Sequence, residues 1–456
     1  MCDGTVLIPS LFTIVSTVGG SAFMFSRDDL SVLSRRKFLQ VATASAGAIV
    51  VGDLVHPMAT AKAEGSFALI RGVNFYGQGA GSLSTDFYTE LALLEAAQIT
   101  HANWVVFNPF WVYLNGADPL GGSSEAIEVG WPSNTPLLST LPYETTDARH
   151  GKFGVGGYES YRDSELEGAI TFAKRLGLKV MLKPMIDPFD PQGPSDWRGS
   201  LDPGIGNIAA FMEAYARFIT HYAAMAEAYD VDLFCIGCEL NNLLYGPYPP
   251  PGNGTSGEYT AYWTDKSSGI VAQIRAIYSG PLTYAGYQGE PRSLWAELDY
   301  IGQEFYPTMI ANPASGTSDV AALQAALING TYDHYNNMAN MAALSAANDN
   351  KQIIFTEFGF QNRPGAAYNG TNDNAGQAPY EQAAAVQAVI QEVEGGGYSW
   401  YAGMFIWDFW DLNVAFQPNS ANAFEMYKNY ADRPVLETLW EAPAAAPYSP
   451  ILIHLS

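Results

Sequence analysis

Cysteine is scarce in this chain, three in 456 residues. A disulfide-built scaffold is therefore excluded, and Cys235 and Cys238 have no second pair to complete a zinc site despite their C-x-x-C spacing. On a strand, residues three apart face opposite ways, so the two thiols are expected to diverge as ordinary core cysteines. Basic residues are also few, 22 against 46 acidic, for a net charge of -24. Phosphate binding needs Lys and Arg, so nucleic acid and anionic membrane surfaces are poor partners, whereas a neutral polymer such as a polysaccharide is compatible. Charged residues make up only 15% of the chain and hydrophobic ones 48%, enough for a large core. H-E-x-x-H, G-x-S-x-G and the phosphate-cradling glycine loop are all missing, which removes the common metalloprotease, serine-hydrolase and nucleotide-hydrolase signatures. No cofactor and no metal is implied. Asn372-Asp-Asn374 reads as solvated loop rather than a calcium site, and the sequons at Asn253, Asn329 and Asn369 read as turns.

The N-terminal region carries an address. Ser34-Arg35-Arg36-Lys37-Phe38-Leu39 precedes the apolar stretch Val41–Val51, and Ala61-Lys62-Ala63 follows. This is the pattern of a twin-arginine export signal with a small-residue cleavage site, so residues 1–63 are expected to be removed. The Tat translocase is then a partner during export, and the product is expected to be periplasmic or extracellular. Thr5–Phe25 is uncharged and long enough to span a membrane, but Pro9 and Gly19-Gly20 weaken a helix there. Twin-arginine signals usually sit near the chain start, so Met24 is the expected true start. Residues 64–440 are expected to form one catalytic domain and 441–456 an extension.

Through that domain, short apolar runs alternate with helical patterns. Eight runs read as strands: Leu69–Asn74, Trp104–Asn108, Val180–Pro184, Leu233–Cys238, Leu282–Ala285, Tyr300–Phe305, Ile353–Thr356 and Gly403–Trp407. Helical spacing of Leu166, Ile170, Ala173 and Leu176 follows a capping box at Ser164-Glu-Leu-Glu167, and Gly177 ends it. A longer helix carries Phe211, Tyr215, Phe218, Tyr222 and Met225 on a core face, and Gln382–Glu394 forms the last one. The expected fold is an α/β (β/α)8 TIM barrel with long loops on its catalytic face. Residues 109–162 and 186–204 are those loops.

Two of the runs end on glutamates, Glu239 and Glu357. The carboxyl ends of barrel strands are where chemistry is done, and two facing carboxyl groups are what glycosidic bond cleavage needs. Glu239 is the expected acid/base and Glu357 the expected nucleophile. Tyr306, after the sixth run, can donate to Glu357, and Trp407 can floor a sugar ring. Asn74, Lys183, Asp187, Trp197 and Arg198 sit at or beyond strand ends one and three, placed to bond sugar hydroxyls.

These segments resemble clan A glycoside hydrolases, and specifically the family 113 β-mannanases and their relatives. The resemblance rests on Leu233-Phe-Cys-Ile-Gly-Cys-Glu239-Leu240, Phe355-Thr-Glu357-Phe-Gly359, Leu182-Lys-Pro184 with Asp187, Trp197-Arg-Gly199, Phe305-Tyr306-Pro307 and Gly403-Met-Phe-Ile-Trp407-Asp408. It implies a retaining, cofactor-free hydrolase of a β-linked polysaccharide or oligosaccharide, β-1,4-mannan first. Other specificities on the same site, transglycosylation and a non-catalytic carbohydrate-binding barrel are the alternatives. Met185 stands where the family usually has His, and Cys238 where many clan A enzymes place an Asn that binds the sugar 2-hydroxyl. Residues 109–162 have no family counterpart.

Overall fold

Runs of branched and aromatic residues become eight parallel strands that close on themselves: β1 (Ile70–Phe75), β2 (Trp104–Phe107), β3 (Lys179–Leu182), β4 (Leu233–Cys238), β5 (Leu282–Gly286), β6 (Ile301–Phe305), β7 (Ile353–Phe358) and β8 (Tyr401–Phe409). Each strand pairs with its neighbours in sequence, and β8 pairs with β1 to shut the barrel. The structure is a computed structural model that describes residues 14–18, 21–25, 69–75, 101–113, 163–188, 197–201, 203, 208–245, 259–287, 293–368, 376 and 378–409. The chain divides into two compact units, residues 63–442 and residues 1–62 with 443–456. In the second, Ile14–Val18 pairs antiparallel with Ser21–Phe25, so that part of the candidate span is hairpin. The rest of the leader and the C-terminal extension lie outside the described residues, as do Asn253, Asn369 and Asn372–Asn374. No described helix is long and apolar enough to cross a membrane.

Two apolar clusters build the barrel. Ile70, Trp104, Met181, Leu233, Cys235, Ala285, Ile354 and Phe405 fill its interior, while a larger cluster lies between strands and helices. Strands covered on both faces lose the apolar–polar alternation of a half-exposed sheet. Gly72 has a steric reason: a Cβ there would sit 2.1 Å from the Phe405 ring.

The helix Ile208–Ala228 shows why the aromatic spacing matters. Phe211, Tyr215, Phe218 and Tyr222 are all buried against the sheet, each worth roughly 1.5–3 kcal/mol of transfer free energy. Tyr215 also donates from Oη to the Ile236 carbonyl at 2.7 Å, anchoring β4 just before its functional end. The helix Asp163–Arg175 buries Leu166, Ile170 and Ala173 and closes at Gly177, whose φ of +80° is left-handed. Its first turn corrects the sequence reading. The helix opens at Asp163, so Ser164 lies inside it rather than capping it. The last helix runs Pro379–Gly395, and Asn329-Gly330 is a helix terminus with Gly330 at φ +60°.

Two further expectations are corrected. The 109–162 segment does not begin as loop: Phe110–Tyr113 pairs in parallel with Met185–Pro188, outside the barrel. Residues 114–162 lie outside the described residues. The two thiols do not diverge either. The β4–β5 register shifts between Cys235 and Cys238, and that irregularity returns Cys238 to the interior cluster that holds Cys235. An inserted residue of this kind resets the two-residue alternation.

Candidate active site

The carboxyl end of the barrel is irregular where its acids lie. Register shifts fall at Cys235/Cys238, at Gln303/Glu304 and at Phe355/Phe358. Beyond the second shift, Glu304 of β6 pairs directly with Glu357 of β7, so two acids stand side by side on neighbouring strands. Bulges re-aim side chains, and here they deliver acids and a thiol to the barrel mouth.

Glu239 follows β4 with a left-handed backbone, φ +49°. That conformation costs a non-glycine residue about 1–3 kcal/mol and persists only where its surroundings hold it. The braces are visible. The Glu239 amide donates to the Ala285 carbonyl at 2.8 Å, and the Leu240 amide donates to Tyr284 Oη at 2.6 Å. Arg198 Nη1 donates to Glu239 Oε2 at 2.9 Å, both side chains being largely buried. Arg198 comes from a tight turn in which Ser200 Oγ donates to the Trp197 carbonyl, while Asn242 Nδ2 donates to the Ser200 carbonyl. A Cβ on Gly199 would sit 2.4 Å from the Trp197 ring, so only glycine lets that ring fold over the turn.

Glu357 is gripped from two sides. Lys183 Nζ donates to Oε1, and Tyr306 Oη donates to Oε2 at 2.8 Å. Burial alone opposes ionisation of Glu357. The Lys183 ammonium and hydrogen bonds from Lys183, Tyr306 and Glu304 outweigh it and hold the carboxyl below its ordinary value. Lys183 is fully buried, and burial works against its charge as well. Glu357, with Cys238 and Glu304, outweighs that and raises its pKa. Tyr306 is pushed far up by burial and by the adjacent Glu357 and Glu304, so it stays a donor.

Cys238 and Glu304 complete the mouth. Cys238 Sγ donates to Glu304 Oε1 at 3.1 Å and lies 3.9 Å from Glu357 Oε1. Donor atoms of Cys238, Glu239 and Glu304 lie within 4.8 Å of one another. A Glu239 oxygen is therefore at most 8.7 Å from Glu357 Oε1, the sum of 4.8 and 3.9 Å. Pairs of acids that cleave glycosidic bonds stand about 5–9.5 Å apart, so the spacing fits. The same three side chains could offer a cation one sulfur and two oxygens. Burial pushes the Cys238 thiol well up, however, which works against a thiolate ligand. Lys183 and Arg198 already bring positive charge to these acids.

Comparison with known proteins accords with this geometry. Residues 144–431 match the profile of Glycoside Hydrolase Family 113, which takes in residues 144–162 and so corrects the expectation that all of 109–162 lacks a family counterpart. The chain belongs to this family. It is a glycosidase, and a carbohydrate is its substrate. Two solved structures are similar to it in fold. One is a complex of a family 113 β-1,4-mannanase, with 20% identity, TM-score 0.51, 75% of this chain and 89% of the other covered. Another is the family 113 β-mannanase AaManA from Alicyclobacillus acidocaldarius, with 19% identity, TM-score 0.51 and coverage of 75% and 88%. No curated protein sequence matches the chain.

Within this family 113 chain, the structure brings Glu239, Glu357, Lys183, Arg198 and Tyr306 together, with Trp197 and Trp407 beside them. Several expected sugar ligands have other occupations. Lys183 bonds Glu357 rather than open solvent and lies 4.9 Å from the centroid of the Trp407 ring. Arg198 bonds Glu239. Asn74 is fully buried, with Nδ2 turned to the carbonyls of Thr356 and Phe405, so it ties β1 to β7 and β8. Burial, complete for Asn74 and Lys183 and substantial for Arg198, leaves each polar group to find its partner inside the protein. The Asp187 side chain lies outside the described residues. Trp197 meets Tyr287 edge to face, ring centroids 5.5 Å apart.

Sequence reasoning missed Glu304 and Tyr287. Glu304 was readable as an acid inside an apolar strand, one residue before the Phe305-Tyr306 segment already singled out. Tyr287 follows β5 and has no such marker. Its phenol is pushed up by burial first and then by the negative charge of Glu239, Glu304 and Asp333.

Proposed function

We propose that the protein is an exported, retaining β-glycoside hydrolase, with β-1,4-mannan the first substrate to test. The observation that carries the mechanism is the state of Glu357: buried, ionised and gripped at both oxygens, across the mouth from Glu239. Such a carboxylate suits attack on an anomeric carbon better than the handling of a mobile water. In the first displacement Glu357 forms a glycosyl ester while Glu239 protonates the leaving oxygen. In the second, Glu239 takes a proton from water, which attacks the ester and frees the sugar. Trp407 and Trp197 offer ring faces and edges to the sugar, and Lys183 and Arg198 fix the acids.

The choice of mannan rests on the two proteins of similar fold, a β-1,4-mannanase and a β-mannanase. One observation favours a different β-glycan. At position 238 the buried thiol points to Glu304, so it gives a sugar 2-hydroxyl no amide contact. Export rests on the Arg35-Arg36 leader alone, and replacing that pair with lysines is expected to trap the protein in the cytoplasm.

The test has two readings. Release of reducing ends from a panel of β-mannans, β-glucans and β-galactans names the sugar. Proton NMR of the first product gives its anomeric configuration. Retention is expected, and an inverted first product removes double displacement.

A further inference from the structure

Glu304 is a buried acid in the mouth to which double displacement assigns no task. Its side chain is 1% exposed. Oε1 accepts from the Cys238 thiol, and no donor among the described residues reaches Oε2. Its electrostatic neighbours are Lys183 beyond β3, Cys238 of β4 with Glu239 after it, Tyr287 after β5, Tyr306 after β6 and Glu357 of β7. Three carboxyl groups thus share the mouth with two described cations. Lys183 takes Glu357 and Arg198 takes Glu239, leaving Glu304 beside a neutral thiol. A carboxylate in that place, 1% exposed, repels whichever flanking glutamate is ionised with little solvent to screen it. A bare Oε2 is an orphaned acceptor; an Oε2 hydroxyl is a donor, and both possible acceptors are neighbours, Glu239 with an oxygen within 4.8 Å of one of Glu304 and Glu357 paired with Glu304 across the β6–β7 register.

We propose that Glu304 remains a neutral carboxylic acid at the working pH, and that its hydroxyl is a positioning group donating to whichever flanking glutamate is ionised. This rests on the roles given above to Glu239 and Glu357. In the free enzyme the hydroxyl supports the Glu357 carboxylate. Once Glu357 is an ester and Glu239 has lost its proton to the leaving group, the same hydroxyl turns to Glu239. No proton leaves Glu304 in either half, so every proton in the reaction is still carried by Glu239. Burial, followed by Cys238, Glu239 and Glu357, pushes the Glu304 carboxyl well above its ordinary range, consistent with this state. A carboxylic acid kept neutral in an apolar site so that it can donate is an established device in other enzymes.

The experiment compares Glu304→Gln with Glu304→Ala and reads protonation directly. Glutamine is neutral, accepts from Cys238 and donates through its amide. It is expected to recover at least tenfold of the kcat that alanine loses. The basic limb of its kcat/KM profile is expected to stay within a few tenths of a pH unit of wild type, because the charge at position 304 does not change. If that limb moves down by about one unit or more, Glu304 is ionised in the wild type and the proposal fails. Infrared spectroscopy supplies a readout free of turnover. Above the basic limb, wild type is expected to keep one protonated-carboxyl C=O band that Glu304→Gln lacks. Absence of that band from wild type overturns the proposal even if the substrate assignment stands. Its presence in a protein that cleaves no glycan leaves Glu304 neutral and instead removes the proposed function.

Discussion

Glu357 and Glu239 end two strands of one barrel, yet their surroundings are built on opposite plans. Glu357 sits inside β7, on the stretch between Phe355 and Phe358 where the β7–β8 register shifts, 7% exposed at its side chain, and is held by partners at both oxygens. Its pKa is depressed because a buried cation and three hydrogen bonds outweigh burial. Glu239 lies past the end of β4 in a left-handed backbone, more open at 14%, and faces an arginine carried by a turn. One acid is fixed by charges inside the sheet, and the other by strain in the backbone and a guanidinium lent from outside the barrel. The difference matches the roles proposed for the two. A nucleophile has to stay ionised and still, whereas an acid/base has to change protonation state twice in a turnover and needs contact with the leaving group and water.

The widest separation between the two is expected from their alanine variants. Glu357→Ala removes the nucleophile for every substrate, so kcat is expected to fall on the order of 10⁴-fold or more whatever the leaving group. Glu239→Ala removes a proton donor, which is worth roughly 10²–10⁴-fold where the leaving oxygen is basic. With an activated aryl glycoside that needs no protonation, the first step of Glu239→Ala should approach wild type. Burst kinetics on such a substrate check it, because the ester then accumulates for want of a base. Equal losses on both substrate types would dissolve the assigned roles.

Lys183→Met tests the charge side of the comparison. Breaking a buried pair leaves Glu357 uncompensated, at a cost of about 3–5 kcal/mol in stability. The pH sense follows from the depressed pKa of Glu357. Its contribution to stability is present above the unfolded value near 4.5 and is lost as pH falls through the lower folded value. Without Lys183 the largest lowering influence is gone. In Lys183→Met the acidic limb of kcat/KM should therefore move to higher pH, and the acid-side loss of stability should shrink because the folded value rises toward or past the unfolded one, read by rate and by denaturant titration. An unmoved acidic limb would mean that Lys183 does not control Glu357.

Most of the architecture was legible before any coordinates, because strand ends in this fold are marked by apolar runs that stop on polar residues. β4 matches its expected range, Leu233–Cys238, and the other seven strands lie within a few residues of theirs. In the site, the meeting of Glu239 and Glu357 at one barrel mouth and the donation from Tyr306 to Glu357 were legible. What was not legible depends on backbone irregularity. The strand alternation predicted diverging thiols, and a register shift undid it. The same kind of shift brings Glu304 beside Glu357, which no periodicity announces. Lys183, Arg198 and Asn74 were read correctly as polar groups at strand ends but aimed at sugar. Burial decides their partners, and burial is a property of the packed mouth rather than of residue type.

Tyr306→Phe is a smaller perturbation on the Glu357 side. It deletes one hydrogen bond to a charged oxygen, worth roughly 1.5–3 kcal/mol, and leaves Lys183 in place. About a tenfold fall in kcat is expected, with the acidic limb shifted upward by less than in Lys183→Met. Should the two shifts be equal, the phenol rather than the ammonium governs the nucleophile.

Tyr284→Phe probes the strained side and is expected to be the mildest. The phenol of Tyr284 accepts from the Leu240 amide, one residue past the left-handed Glu239, and its ring packs between Trp263 and Trp295. Phenylalanine keeps the packing and removes only the acceptor, so a buried amide loses its partner at about 1–3 kcal/mol. Because the brace acts on Glu239 and not on Glu357, the loss in rate should grow with the basicity of the leaving group. The acidic limb, which reports Glu357, should not move. A Tyr284→Phe enzyme slowed equally on activated and unactivated substrates would show that the brace supports the barrel mouth as a whole. The contrast between a charge-held and a strain-held glutamate would then lose its mechanical half.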